Sequence, residues 1–439
     1  MYKLLSNGIV RLLIAAACYG LPINAIAEGA EKIKFGYSQR IRIETTDNAT
    51  HLDNSAAAGS SYLRNRTSFM IQYFPKNHIA LTAKLTNEFR YYMVPETKKF
   101  NFDEVFFDLL NLKIDSAGGY PIDLIIGRQN INLGEGFLVM DGGPLDGSRS
   151  IYFNAALANW NISSKSKLSL IYTNQPKEDN ILPIINKQHK QLVDQPEQAL
   201  IAYYAGSIKK AKIDGYFIWK NIKTTAIAKS SQIYCPGIRF QIPIVGRLSV
   251  TGETAVQFGN WGGDTRRALG GYLYSEYQTG WPKLFPKAIT IGGIFLSGDD
   301  LATKNHEGWE PIFGRWPKWS DSYIYTLSRE KYTSSREKDV AYWSNLASIF
   351  AKTSVEIIPD LIFSFDYHHL MAPEYGDSQA EFPGGKGRNR GDLFIGRLLY
   401  KMNTHLSGHV IWESFDPGSY YFDGADSYGW MRMELMLTF

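Results

Sequence analysis

The last nine residues of the chain read Met431-Arg432-Met433-Glu434-Leu435-Met436-Leu437-Thr438-Phe439. The odd positions are all apolar, while the even positions carry Arg432, Glu434 and Thr438, with Met436 as the exception. Successive side chains of a strand point to opposite faces, so this stretch predicts a strand with one apolar and one polar face. Such a strand, ending on an aromatic residue, is typical of the closing strand of an outer-membrane β-barrel. The edge strand of a soluble sandwich would more often be followed by a polar tail, since termini fray.

The beginning of the chain has the pattern of an export signal. Lys3 and Arg11 lie in a basic head before the apolar stretch 12–18, and Ala25-Ile26-Ala27 forms a small-x-small cleavage signature. We therefore predict that residues 1–27 are a signal peptide and that residues 28–439 form one barrel domain. A membrane anchor is a weaker interpretation, because the apolar stretch is too short and is followed by glycine and proline.

The composition supports a membrane barrel and argues against nucleic acid as a partner. The chain holds 47 lysines and arginines against 43 aspartates and glutamates, a near-balance unlike that of a nucleic-acid-binding protein. Tyrosine (27) and phenylalanine (24) are abundant, as interfacial aromatic girdles require. Because no segment after residue 27 resembles a spanning helix, a membrane location requires a closed barrel in contact with outer-membrane lipid.

Alternating segments separated by turns predict the number of strands. Segments 33–44, 62–74 and 78–91 alternate clearly. Short turns are predicted near Pro75 and at 116–121, 163–165, 209–210, 243–246, 281–287, 359–360 and 402–403. Longer polar stretches are predicted at 45–61, 92–101, 128–150, 174–198, 220–232, 259–267, 297–339, 370–391 and 416–428. This regular exchange of short periplasmic turns and long extracellular loops predicts a transmembrane antiparallel β-barrel of about eighteen strands. Segments 102–114, 340–357 and 392–401 alternate poorly, so the count has a margin of about two.

Orienting each strand by its apolar face places a set of charged residues in the lumen. The predicted lumen residues are Arg40, Arg42, Arg64, Arg66, Arg90, Arg239, Arg247, Arg432, Glu44, Glu88, Glu253 and Glu434. A guanidinium keeps its charge and binds carboxylates through two parallel hydrogen bonds. Repeated weak sites of this kind inside a pore would draw anions through it. The alternative is that arginines and glutamates pair across the interior only to fill and brace the barrel.

One long polar stretch carries residues suited to contact a solute. Segment 297–339 includes Trp309, Arg315, Trp316 and Trp319, and loops of this length are usually functional or disordered. Tryptophans stack on sugar rings, so the segment is a candidate lid or constriction. The alternative is that these tryptophans pack the loop against the barrel rim. Segment 370–391 is glycine-rich and basic, and is a candidate anion-attracting mouth or plug.

The sequence carries no constellation typical of an enzyme, a metal site or a cofactor site. There is no Gly-x-Ser-x-Gly elbow, no His-Glu-x-x-His and no phosphate loop. Ser364, Asp366 and His368 share one strand face, but alternate residues of a strand lie about 7 Å apart, which is too far for a direct triad. We therefore expect a non-enzymatic protein that needs no cofactor and no metal.

Several motifs resemble those of the alginate-export family of outer-membrane porins. They are Gly127-Arg128-Gln129 with Leu133-Gly134-Glu135-Gly136, Leu296-Ser297-Gly298-Asp299-Asp300, Trp412-Glu413-Ser414-Phe415-Asp416-Pro417-Gly418-Ser419-Tyr420-Tyr421 and Arg432-Met433-Glu434-Leu435. The resemblance implies an eighteen-stranded channel in the outer membrane of a Gram-negative bacterium that passes an anionic uronate polysaccharide or small anionic solutes. Periplasmic export-complex proteins are possible partners. The alternative function is a general or small-solute-specific porin with no polysaccharide role.

Overall fold

Nineteen strands occur in the part of the chain that the structure describes. The computed structural model describes residues 32–48, 52–56, 59–96, 104–140, 152–186, 192–193, 195–225, 229–300, 302–314, 319–321, 344–375 and 387–439. The strands are β1 (Ile33–Asp47), β2 (Ser60–Lys76), β3 (Ile79–Val94), β4 (Val105–Ile114), β5 (Ile122–Gln129), β6 (Phe153–Ser163), β7 (Ser166–Gln175), β8 (Ile184–Ile185), β9 (Glu197–Ile208), β10 (Ala211–Ile222), β11 (Ser231–Val245), β12 (Leu248–Trp261), β13 (Asp264–Gln278), β14 (Pro286–Leu296), β15 (Leu346–Ile358), β16 (Leu361–Met371), β17 (Asn389–Lys401), β18 (Leu406–Pro417) and β19 (Tyr428–Thr438).

Eighteen of these strands form a closed antiparallel barrel. Each strand pairs with its neighbour in sequence, and β1 pairs with both β2 and β19, so the ring closes. The exception is the two-residue strand β8, which pairs only with β4, while β7 pairs directly with β9. The predicted fold class and the predicted eighteen strands are therefore confirmed.

Period-two alternation gives the barrel an apolar outer surface. Phe35, Ile126, Leu200 and Ile291 are among many large apolar side chains that remain exposed on the outside. A surface of this kind is stable against lipid and unstable against water. Among the described residues, no helix is long and apolar enough to cross a membrane. Two single-turn 3₁₀ helices, Asn54–Ala56 and Ala117–Gly119, lie in connections between strands.

The connections at the two ends of the barrel differ in length, with one departure from the prediction. Short turns such as 77–78 and 209–210 lie at one end, called the turn end, and the longer connections lie at the other, called the loop end. The predicted long stretch 259–267 is wrong, because β12 and β13 are joined at the loop end by Gly262 and Gly263 alone. Their φ angles of 55° and 105° allow a tight hairpin that other residues rarely form.

Some predictions lie outside the described residues. They concern the signal peptide at 1–27, the loop residues Arg315 and Trp316, and residues 376–386 of segment 370–391. These remain predictions.

Candidate functional site

Strand register brings five of the predicted lumen arginines together on one side of the barrel. Arg40 lies opposite Arg66, and Arg42 lies opposite Arg64, across the β1–β2 pair. Arg432 comes from the adjacent strand β19, which pairs with the other edge of β1. All five side chains are buried in the lumen wall, and we call them the arginine wall.

Predicted carboxylates lie between these arginines. Glu434 Oε2 accepts a hydrogen bond from Arg42 Nε at 2.7 Å, and the same oxygen lies 2.6 Å from Arg42 Nη2 in an ion pair. Glu88 joins two arginines, because its Oε1 lies 2.6 Å from Arg64 Nη2 and its Oε2 lies 3.0 Å from Arg66 Nη1. The bracing expected of a barrel interior is therefore present in the arginine wall.

Two further predicted residues lie at the loop-end side of this network. Glu44 accepts a hydrogen bond from the Tyr62 hydroxyl at 2.8 Å and lies 3.3 Å from Arg42 Nη1. The Arg90 guanidinium lies 5.0 Å from the centre of the Tyr62 ring, within the range of a cation–π contact. Both residues thus face the lumen beside the arginine wall.

Positive charge exceeds negative charge on this side of the lumen. Asp108, which the sequence analysis did not select, binds Arg66 at 2.9 Å and Lys84 at 2.8 Å. With Arg90 and Lys84 added, the arginine wall and its surroundings hold seven cationic side chains among the described residues. Five carboxylates lie among them, namely Glu44, Glu88, Asp108, Asp321 and Glu434.

The opposite side of the lumen is lined by tyrosines. Strand β11 is nine pairings from β1 in either direction round the ring, so the strands about β11 face the arginine wall. The tyrosine wall consists of Tyr203, Tyr216, Tyr272 and Tyr274. The hydroxyls of Tyr216 and Tyr272 both donate to Glu253 at 3.0 Å. The predicted lumen residue Glu253 therefore belongs to the tyrosine wall and not to the arginine wall.

Arg239 joins the tyrosine wall to a loop that enters the barrel. Its Nη1 donates to Asp214 at 3.0 Å and its Nη2 donates to Glu135 at 3.1 Å. Glu135 also accepts a hydrogen bond from the Tyr274 hydroxyl at 2.8 Å, and it belongs to the connection after β5. The segment 130–140 therefore folds into the lumen, as Glu135 reaches side chains of β11 and β13.

Glycines allow this segment to turn back inside the barrel. Gly134 and Gly136 flank Glu135 with φ angles of 59° and 80°, in the region that favours glycine. A Cβ atom on Gly134 would lie 2.9 Å from Arg239 Cδ. In the motif Leu133-Gly134-Glu135-Gly136, the two glycines therefore allow the backbone turn that brings the Glu135 carboxylate to Arg239.

Arg247 does not lie with the other predicted lumen arginines. It occupies the turn before β12 at the turn end, where it is exposed and its Nη1 donates to the Thr279 carbonyl at 2.8 Å. The prediction extended the alternation of β12 one residue too far, because the strand begins at Leu248. Arg247 is therefore placed to stabilise neighbouring turns.

The first part of the predicted solute-contacting stretch also enters the lumen. Lys220 lies 3.1 Å from Glu310 and 3.0 Å from Glu197, and Gln257 bonds both the N–H and the carbonyl of Glu310. Trp309 is buried and its ring stacks on Phe137 with centroids 5.5 Å apart. Trp309 therefore packs one inserted loop against the other inside the barrel.

Residues 319–321 connect the two walls. The Trp319 ring packs against Tyr272 at 5.6 Å between centroids, which places it on the tyrosine wall. Two residues later, Asp321 Oδ1 lies 3.1 Å from Arg432 Nη1. The Ser320 hydroxyl donates to Glu413 at 2.6 Å. A short stretch of loop therefore lies across the lumen, from the tyrosines to the arginine wall.

The fold is that of the outer-membrane porins of Gram-negative bacteria. OpdO from Pseudomonas aeruginosa superposes with a TM-score of 0.57 at 10% identity, covering 93% of this chain and 97% of that chain. The outer membrane protein opdK from P. aeruginosa gives 0.56 at 10% identity, with 93% and 99% covered. OccK11 (OpdR) from the same species gives 0.53 at 11% identity, with 94% and 99% covered. These likenesses, together with the apolar outer surface, confirm the predicted outer-membrane location.

No protein-family model and no curated protein matches the chain. The porin part of the predicted resemblance is confirmed by the fold, while membership of the alginate-export family remains a prediction. At 10–11% identity these likenesses concern the fold alone, and the expectation of a non-enzymatic protein remains a prediction.

Proposed function

We propose that the chain forms a passive outer-membrane channel for small anionic solutes. The observation that carries this proposal is the excess of positive charge along the arginine wall, where seven cationic side chains of the described residues stand against five carboxylates. Guanidinium groups bind carboxylates with charge-assisted hydrogen bonds, and a pore lined with several of them favours anions. Pairing with glutamates braces the wall and also weakens each arginine as a binding site, as conduction requires.

The inserted loops favour small solutes over a polymer. Segment 130–140 and segment 302–314 pack against each other inside the barrel through Phe137 and Trp309, so they reduce the space left for a cargo. The likeness to porin structures agrees with a small-solute channel, although it concerns the fold alone.

Passage of an alginate-like polymer, assisted by periplasmic export proteins, is a second candidate. It rests on the resemblance that includes the motif 412–421. In this chain Trp412 lies on the outer surface and stacks on Phe363 with centroids 5.9 Å apart. That contact stabilises the barrel wall whatever the cargo, so the motif alone favours no particular solute.

Reversal potentials in planar bilayers with a salt gradient test the proposal. We expect anion selectivity that decreases when Arg64→Gln and Arg66→Gln are combined. Arg247→Gln is the matched control, because Arg247 lies exposed in a turn at the turn end, outside the arginine wall, and donates only to the Thr279 carbonyl among the contacts described above. A cation-selective or unselective wild-type pore would refute the proposal. Block by long uronate oligomers, with no block by monomers, would favour the polymer instead.

A further inference from the structure

The carboxylate of Asp321 occupies a position where a solute carboxylate would bind. Its Oδ1 lies 3.1 Å from Arg432 Nη1 and its Oδ2 lies 3.9 Å from Arg397 Nε. The two arginines project from β19 and β17, on either side of β18. Arg432 hydrogen-bonds this carboxylate, while Arg397, whose Nη1 pairs with Asp366, lies within ion-pair distance of it. Arginine is the side chain best suited to recognise a carboxylate.

A hydrogen-bond acceptor completes this arrangement. Glu413, on the intervening strand β18, accepts the Asp321 backbone N–H at 2.6 Å and the Ser320 hydroxyl at 2.6 Å. The loop thus presents one carboxylate to the arginines and two donors to the glutamate. These six groups come from two consecutive loop residues and three adjacent strands.

We propose that Arg397, Arg432 and Glu413 form a binding site for small hydroxy or amino acids, including sugar acids, and that Asp321 occupies it in competition with the solute. This inference rests on the proposed function and specifies its solute. The solute carboxylate replaces that of Asp321 at the arginines. A hydroxyl or amino group of the same molecule replaces the loop donors at Glu413.

The exposure of the groups is consistent with exchange. The Asp321 side chain is 24% exposed, whereas Arg432 is 2% exposed, so the arginine is fixed in the wall and the loop carboxylate lies on the lumen side. Arg432 is further held by Glu44, 3.6 Å from its Nε, and by the Trp430 ring at 4.7 Å. Release of Asp321 therefore leaves the arginine in position for another carboxylate.

The competition predicts the direction of a mutational effect. Asp321→Asn removes the negative charge that holds the loop at the arginines, while the shape of the side chain is nearly preserved. If Asp321 occupies the site nine-tenths of the time, its removal tightens binding by about tenfold, because apparent affinity scales with the fraction of competent sites. A residue that merely shaped the pore would leave the affinity unchanged or weaken it.

The experiment measures block of the ionic current through the full-length barrel by glucuronate, with acetate and glucose as comparison probes. Acetate has the carboxylate but no donor, and glucose has the donors but no carboxylate. We expect Asp321→Asn to lower the half-blocking concentration of glucuronate by about fivefold or more, with smaller changes for acetate and none for glucose. Glu374→Gln, which removes one exposed loop carboxylate, should change nothing.

The outcomes separate this inference from the proposed function. An anion-selective wild-type channel whose glucuronate block is unchanged or weaker in Asp321→Asn overturns the site and leaves the function standing. A wild-type pore without anion selectivity overturns the proposed function itself. Should Asp321→Asn fail to form a heat-modifiable barrel, Arg397→Lys provides the second test. This substitution keeps the positive charge but removes the guanidinium group that can form two parallel hydrogen bonds, so the block by glucuronate must weaken. An unchanged block would overturn the proposed site.

Discussion

Glu434 lies within the arginine wall, buried between β1 and β18. Its Oε2 accepts a hydrogen bond from Arg42 Nε, forms an ion pair with Arg42 Nη2 at 2.6 Å and lies 3.8 Å from Arg40 Nε. Removal of one partner of a buried ion pair leaves an uncompensated charge, which costs about 3–5 kcal/mol. We expect Glu434→Gln to lower the free energy of unfolding by about 3 kcal/mol, measured as the urea concentration at which heat-modifiable gel migration is lost.

Glu374→Gln is the matched control for this substitution. It removes a carboxylate whose partner is the exposed Arg388, and exposed pairs contribute about 0–1 kcal/mol. Equal loss of stability in both variants would show that Glu434 does not support the arginine wall. A larger loss of stability in Glu434→Gln than in Glu374→Gln would support the role of Glu434 in the arginine wall.

Strand alternation was enough to predict the paired residues of the arginine wall. Arg42 and Glu434 lie on regular strands, where every second side chain faces inward. The sequence does not predict Lys220 as a lumen residue, because the polar stretch 220–232 indicates a loop, whereas β10 continues to Ile222. This difference has a physical cause. Where a strand ends at the loop end, both of its faces carry polar residues, so the alternation of apolar and polar residues is lost.

A bulge explains why segment 102–114 alternates poorly. The register of β3 against β4 shifts between Lys84 and Leu85, and one extra residue moves every later side chain to the other face. Before the shift Asp108 faces the lumen, and after it Asn111 lies opposite the inward-facing Thr82. The strand β4, within segment 102–114, therefore shows no single period, although it is a regular part of the barrel.

The Gly262–Gly263 hairpin gives a test at the scale of one element. Gly263 has a φ of 105° and a Cβ there would meet nothing within 4 Å, so substitution adds backbone strain and no clash. We expect Gly263→Ala to lower the free energy of unfolding by about 1–3 kcal/mol. Gly215→Ala is the control, because its Cβ also meets nothing but it lies in extended β10. Equal urea midpoints for the two variants would contradict the strained turn.

The inserted loops belong to the scale of the whole molecule, and the sequence did not predict their contacts. Glu135 meets Arg239 across 104 positions of the chain, and Asp321 meets Arg432 across 111. A period-two pattern reports which face of a strand a residue occupies, but it carries no information on where a loop folds. The long polar stretch 297–339 indicates a functional loop, while the position of residues 319–321 between the two walls follows only from the closed barrel.

Closure of the barrel depends on pairing between the two ends of the described chain. Ile43 on β1 lies opposite Met433 on β19, and both face outward. Directly opposed residues of antiparallel strands have Cα atoms about 4.5–5.5 Å apart, within the range of about 4.4–6.8 Å that a disulfide spans. We expect Ile43→Cys with Met433→Cys to form an intramolecular disulfide on oxidation. After heating in detergent, the oxidised chain stays circular and should migrate differently from the reduced chain.

Ile43→Cys with Ile349→Cys is the control, because β15 does not pair with β1. Identical migration of the oxidised and reduced closing-pair variant would contradict the register that closes the ring.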